Sequence, residues 1–149
     1  MKRASTVLLA AGGACLALSM AFSAVSAGNP VEDRQATMKA VGQSMKEAAA
    51  INTPATFDAG KAKTLMDGVA ANAKKLKGLY PVGSGADPKS AADPKIWENK
   101  ADFEKHLADM GAAATAAGKA TSADTFKPAY AALGATCKSC HDIYRKKKS

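Results

Sequence analysis

The sequence predicts an all-α protein, an antiparallel four-helix bundle, and three observations predict it. Four stretches carry apolar residues at helical spacing. No period-two alternation of apolar and polar residues persists anywhere, and β-branched residues are few. Every connection is short except one, which suits antiparallel neighbours in a bundle.

A segment of another kind precedes the bundle. Lys2 and Arg3 open the chain, and an apolar run from Val7 to Val25 follows, broken only by Gly, Ser and Cys. It ends in the small residues Val25-Ser26-Ala27, the order of a secretory signal peptide cleaved after Ala27. The run is long enough to span a bilayer. Its alanine content and cleavage-like end favour removal over retention, so no membrane attachment is expected afterwards. Cys15 suggests lipoprotein processing, but Gly12 stands where a larger aliphatic residue is usual. The expected organisation is a signal peptide over residues 1–27 and one bundle domain over residues 28–149.

Removal of Lys2 and Arg3 takes the net charge from +8 to about +6. Export argues against nucleic acid as a partner, and the bases are spread as on a solvated surface. The exception is Arg145-Lys146-Lys147-Lys148. That run suits acidic partners, but reads better as a soluble helix end, where positive charge complements the helix dipole.

The first helix is expected from about Pro30 to Ile51, with Val31, Met38, Val41, Met45 and Ala48 as its apolar stripe. Pro54 ends it by pushing Thr53 out of helical conformation. The second runs from about Thr56, as N-cap, to Lys77, with Gly78 as its stop. Its stripe is Phe57, Ala62, Leu65, Val69, Ala73 and Leu76. The stretch "VGSGADPKSAADP" after Tyr80-Pro81 is loop by composition and is expected to be the crossover between two helix pairs. The third helix starts at Asp93-Pro94 and continues to about Ala117, with Ile96, Phe103, Leu107, Met110 and Ala114 inward and Gly118 as its stop. The fourth starts at "TSAD", where Thr121 and Asp124 resemble a capping box, and runs to about Lys146. Its stripe is Phe126, Tyr130, Leu133, Cys137, His141 and Tyr144. Such an alanine-rich core, thin in aromatics, leaves room for a large apolar cofactor.

The last helix carries the chemistry. Without Cys15, the only cysteines are Cys137 and Cys140, at i and i+3, with His141 at i+4 from Cys137. All three project to roughly one side. C-x-x-C-H is the attachment signal of c-type haem, whose two vinyl groups accept two thiols while histidine takes the iron. A structural disulfide across one helical turn would close only a tiny loop. A thioredoxin-like pair would need a strand–helix–strand setting that is absent. A zinc site needs four ligands, and His106, beside Glu104 and Lys105, reads as a surface histidine.

With this motif near the C-terminus of a four-helix chain, the sequence resembles the class II cytochromes c, and among them the cytochrome c-prime family. "EDRQATM" (Glu32 to Met38) is similar to the family's first-helix signature, and "LYPVGSG" (Leu79 to Gly85) to its mid-chain loop. "KIW" followed by Phe103 is similar to the start of its third helix, and "LGATCKSCHDIYR" (Leu133 to Arg145) to its haem-binding end. The resemblance implies a periplasmic haem protein, often a homodimer through its first two helices. It implies one haem c on Cys137 and Cys140, His141 as proximal ligand, and Arg34 near a propionate, a role its planar fork suits. Met38 matches the position facing the iron opposite the histidine. Methionine there ligates in low-spin members and only blocks the site in high-spin ones; spacing alone leaves both open, and periodicity alone makes it core.

Two functions follow from a bound haem: electron transfer with redox partner proteins, or binding of nitric oxide or carbon monoxide at an open sixth position. A thiol oxidoreductase using Cys137 and Cys140 is the third reading. No catalytic constellation is visible, so no enzyme is expected.

Overall fold

The computed structural model describes residues 28–147. The expectations for residues 1–27, Cys15 included, lie outside them. Among the described residues there are five α-helices: α1 Pro30–Ala50, α2 Ala59–Leu76, α3 Lys95–Glu98, α4 Lys100–Ala117 and α5 Ala123–Tyr144. α3 is a single turn, so the bundle has four long helices, as expected. Among the described residues there is no strand, only an isolated bridge between Ala92 and Arg145.

α1, α2 and α5 start where a side chain satisfies free backbone N–H groups. Asn29 accepts from the Val31 N–H at 2.9 Å, followed by Pro30 and the acidic Glu32 and Asp33. α2 is capped by Asp58, whose Oδ1 accepts from the Lys61 N–H at 2.7 Å. Thr56, the cap expected from sequence, is held in a preceding turn, its hydroxyl 2.7 Å from that of Thr53. Gly78 does not stop α2; a 3₁₀ turn, Lys77–Leu79, carries the chain through it. The third expected helix begins at Lys95, just after Asp93-Pro94, with Asp93 Oδ1 accepting from the Lys95 N–H at 3.0 Å and Pro94 as N-cap. It breaks at Asn99, which is non-helical at φ −125° and ψ 51°, a residue type that competes with helical backbone. The capping box of α5 is one residue later than expected: Ser122 Oγ accepts from the Thr125 N–H at 3.3 Å, and Thr125 Oγ1 from the Ser122 N–H at 3.2 Å.

α1 packs on α2, α2 on α4, and α4 on α5. Gly111 faces Ala73 and Gly118 faces Met66, so α2 and α4 are antiparallel. A Cβ at Gly118 would stand 3.2 Å from the Cβ of Met66, so glycine here lets the two helices close up. Phe103, Phe126, Met66, Leu76 and Leu133 are among the fully buried side chains. Burial of each phenylalanine contributes about 1.5–3 kcal/mol. Phe126 tilts against Phe57, with ring centroids 5.6 Å apart, and so ties the starts of α5 and α2 together.

The long connection joins the two helix pairs, but as neighbours rather than by crossing the bundle. It folds over the end where α1 starts and α5 stops. Trp97 shapes it: the indole N–H donates to the Pro81 carbonyl at 3.1 Å, and a Cβ at Gly85 would lie 2.5 Å from the indole ring. Gly83 takes φ +85°, which favours glycine. The Asp93 N–H donates to the Tyr144 carbonyl at 2.9 Å, and the Lys146 N–H to the Ala91 carbonyl at 2.9 Å. Arg145 to Lys147, the described part of the basic run, are therefore not a helix end: α5 stops at Tyr144, and Arg145 is extended, at φ −109° and ψ 127°. Backbone partners in the connection replace a further helical turn.

Candidate functional site

α1 and α5 are the bundle neighbours that do not close on each other. Far from the connection they are tied by Tyr130, whose hydroxyl donates to the Met45 carbonyl at 2.9 Å. Towards the connection they part around a cavity of about 580 Å³, within the range of cofactor pockets. Arg34, Met38 and Gly42 of α1 form one wall, and Gly134, Cys137, Cys140 and His141 of α5 the other. Tyr80, Ile96, Phe103 and Tyr144 also line it. All five residues singled out from the sequence, Arg34, Met38, Cys137, Cys140 and His141, thus share one cavity.

Helical register brings the α5 residues together. Cys140 is buried and Cys137 half-buried, and both are free thiols. Burial pushes the Cys140 thiol up to about 11, with Cys137 and Asp102 adding to the rise. Burial raises Cys137 as well. Both are therefore neutral at pH 7, unlike redox-active cysteines, whose thiolates are stabilised. Among the described residues, no three His, Cys, Asp or Glu side chains group as a metal site. His141 stands exposed at the rim, yet desolvation by the surrounding wall lowers its pKa, and Arg145 lowers it further. Its imidazole is neutral at pH 7 and keeps a lone pair for a metal.

Arg34 is the buried charge of the site, only 4% exposed. Its Nη1 donates to Ser84 Oγ at 2.8 Å and to the Leu79 carbonyl at 3.4 Å. Its Nη2 donates to the Ser84 carbonyl at 2.8 Å and to Ser90 Oγ at 2.6 Å. The guanidinium carbon lies 5.0 Å from the centroid of the Tyr80 ring. Among the described residues, no carboxylate forms an ion pair with it. Desolvation lowers its pKa, Tyr80 and Asp87 offset part of that, and it stays charged at neutral pH. A buried cation on a cavity wall, with Asp87 acting only at a distance and no carboxylate paired to it among the described residues, is poised for an anion inside the cavity.

The donor set and the shape both suit a haem. Gly42 and Gly134 place no side chain in the cavity, and a Cβ built at either meets nothing within 4 Å. A broad planar group has clearance between the two helices there. The thiols and imidazole lie on one side of that space, the half-buried Met38 on the other, and Arg34 offers a charge for a carboxylate.

Sequence reasoning missed the supporting residues. Ser84 and Ser90 are loop residues distant in sequence from Arg34, and nothing in composition marks them. Gly42 and Gly134 carried a readable signal: each is a mid-helix glycine in register with a site residue, Met38 at i−4 and Cys137 at i+3. His106 does not line the cavity. It is half-buried, its Nε2 lies 3.5 Å from Asp102 Oδ2, and its ring packs edge-on against Tyr144 at 5.7 Å between centroids. Asp102 also accepts from the Tyr144 hydroxyl at 2.5 Å.

Comparison with known proteins agrees with the geometry. The family model for cytochrome c' matches residues 29–145. Cytochrome c' of Rhodopseudomonas palustris is 38% identical over 128 residues, covering 85% of this chain and 88% of that protein. Cytochrome c-556 of Agrobacterium fabrum is 41% identical over 128 residues, covering 84% and 86%. The solved structure of cytochrome c' from Rhodopseudomonas palustris superposes with a TM-score of 0.75 at 36% identity, covering 81% of this chain and 98% of that one. The chain belongs to the cytochrome c' family of c-type cytochromes, whose cofactor is a covalently bound haem c.

Proposed function

We propose that the chain is an exported, periplasmic electron carrier with Cys137 and Cys140 as its haem attachment sites and His141 as its proximal ligand. The observation that carries this reading is the single cavity with the C-x-x-C-H residues on α5 and Met38 opposite on α1. When bound, a haem supplies a one-electron iron couple. Cys137 and Cys140 would hold the haem through thioethers to its two vinyl groups. Arg34 would hold a propionate carboxylate by its charge and its remaining donor. Tyr80, Ile96, Phe103 and Tyr144 keep water from the buried edge. Met38, on the opposite wall, would be the second residue to hold the iron, and a His/Met pair would raise its potential into a range useful for electron transfer. Export follows from the signal peptide at residues 1–27, and the mature domain is residues 28–149. Pairing as a homodimer through α1 and α2 extends the family resemblance.

Gas binding is the second reading, and Gly42 favours it. It stands one turn from Met38 and leaves room for that side chain to swing aside for a small ligand. Absorption spectra of the holoprotein and of Met38→Leu separate the two. Loss of the weak red charge-transfer band of an iron–thioether bond in Met38→Leu supports the carrier. An unchanged, high-spin spectrum removes Met38 as a ligand and leaves gas binding.

A further inference from the structure

We infer that Asp102 and His106 of α4 form a charge switch behind the cavity wall that tunes the potential of the bound iron. The inference deepens the carrier reading above and rests on it. One oxygen, Asp102 Oδ2, is shared between two groups: the Tyr144 hydroxyl donates to it at 2.5 Å, and His106 Nε2 lies 3.5 Å away. Asp102 and His106 stand at i and i+4, so helical register holds them together. Tyr144 is only 4% exposed and lines the cavity, one turn along α5 from Cys140 and His141. The carboxylate is thus fastened to the back of the wall that carries the haem-attachment residues, without lining the cavity itself.

Buried rings stand between the pair and the cavity. Phe103 packs edge-on against Tyr144 at 5.3 Å between centroids, and His106 does so at 5.7 Å. Such rings screen a charge far less than water does. The Cys140 thiol already feels Asp102, which adds to its raised pKa. A negative charge there stabilises the more positive, oxidised iron and lowers the potential. His106 keeps 19% of its side chain exposed, so it exchanges a proton with solvent without opening the wall. Histidine ordinarily changes charge between about pH 5 and 8. Protonated, it pairs with Asp102 and cancels the negative field, so the potential rises. By linkage, the imidazole takes a proton from solvent more readily once the iron has accepted an electron. The neighbouring groups do not duplicate this switch. On α5 the Tyr144 phenol and the Cys140 thiol are both pushed up and neutral at pH 7. On α4, Glu104 pairs with Lys100 at 3.6 Å and Lys105 with Asp109 at 2.6 Å. Glu98 of α3, four residues before Asp102, forms no ion pair with either residue among the described ones.

The experiment is a spectroelectrochemical titration of the holoprotein, His106→Gln and Asp102→Asn from about pH 5 to 8. In the parent, the equilibrium constant for reduction should be about two- to fivefold larger at the acid end, the effect of one partly screened charge. His106→Gln should remove that rise and keep the lower, alkaline potential. Asp102→Asn, which keeps an oxygen for the Tyr144 hydroxyl, should also remove it, but at the higher potential. A flat parent, or a slope equal in all three proteins, would overturn the inference. So would an Asp102→Asn protein that loses stability while its potential and slope stay unchanged, since that is a structural tie alone. A second measurement needs no substitution: the His106 ring protons are titrated by NMR in the ferrous and ferric parent. The midpoint should lie higher in the ferrous form, and equal midpoints would overturn the coupling. Failure of the carrier reading appears separately, in the absorption spectrum of Met38→Leu, because the iron has a potential whichever group stands at its sixth position.

Discussion

Replacing Arg34 with Met tests whether the buried guanidinium ties the long connection to α1. The substitution removes two short charge-assisted bonds, to the Ser84 carbonyl at 2.8 Å and Ser90 Oγ at 2.6 Å, and a third to Ser84 Oγ at 2.8 Å. Hydrogen bonds to charged groups contribute about 1.5–3 kcal/mol each. The gross loss is offset by relief of a desolvated cation that no carboxylate pairs with directly among the described residues. A net destabilisation of about 2–3 kcal/mol remains, which lowers the Tm of a domain this size by roughly 10 °C. Arg34→Lys keeps the charge but not the fork, and should recover less than half of the loss. The assay is guanidinium denaturation of the holoprotein followed by far-ultraviolet circular dichroism, in a cycle with Ser90→Ala. The cycle should return a coupling of about 1–2 kcal/mol. Strict additivity, or Arg34→Met melting within about 2 °C of the parent, would refute the reasoning.

Gly134→Leu should fill the cavity on the α5 side, so haem incorporation during expression should fall severalfold while helical content is kept; undiminished haem yield would show that the clearance is not needed there. Burial pushes the phenols of Tyr80 and Tyr144 up to about 12, with the bond to Asp102 adding to the rise for Tyr144. Their protonated forms therefore contribute stability that is complete below pH 10 and lost as pH rises towards 12. Tyrosinate absorbance from these two should appear together with loss of helical dichroism. Ordinary titration near pH 10 with the helices intact would contradict their burial.

The four long helices were legible because each carries its apolar residues at helical spacing over four or more turns. Caps were less legible, since Thr56 and Asp58, or Thr121 and Ser122, are all competent acceptors within two residues, and only tertiary position chooses between them. The break at Asn99 has no hydrophobic signature, because Ile96 and Phe103 stay in phase across it. The end of α5 was misread for a related reason. A basic run after a helix looks like dipole complementation, but the backbone of residues 91–93 outcompetes the next helical turn. The C-x-x-C-H residues were readable because their spacing is itself the geometry. Arg34 and Met38 were visible only through family resemblance, and the serines around Arg34 only through the folded connection.

The bonds that hold the cavity mouth share one property: they join residues far apart in sequence, 34 to 84 and 90, and 145 and 146 to the 91–92 segment. Loops of that length close after local helices have formed. The mouth of the cavity therefore depends on contacts that only the folded connection supplies, and it is the part of the molecule that local helix formation alone does not shape. Loosening of the connection loosens the Arg34 side and the α5 end of the cavity together.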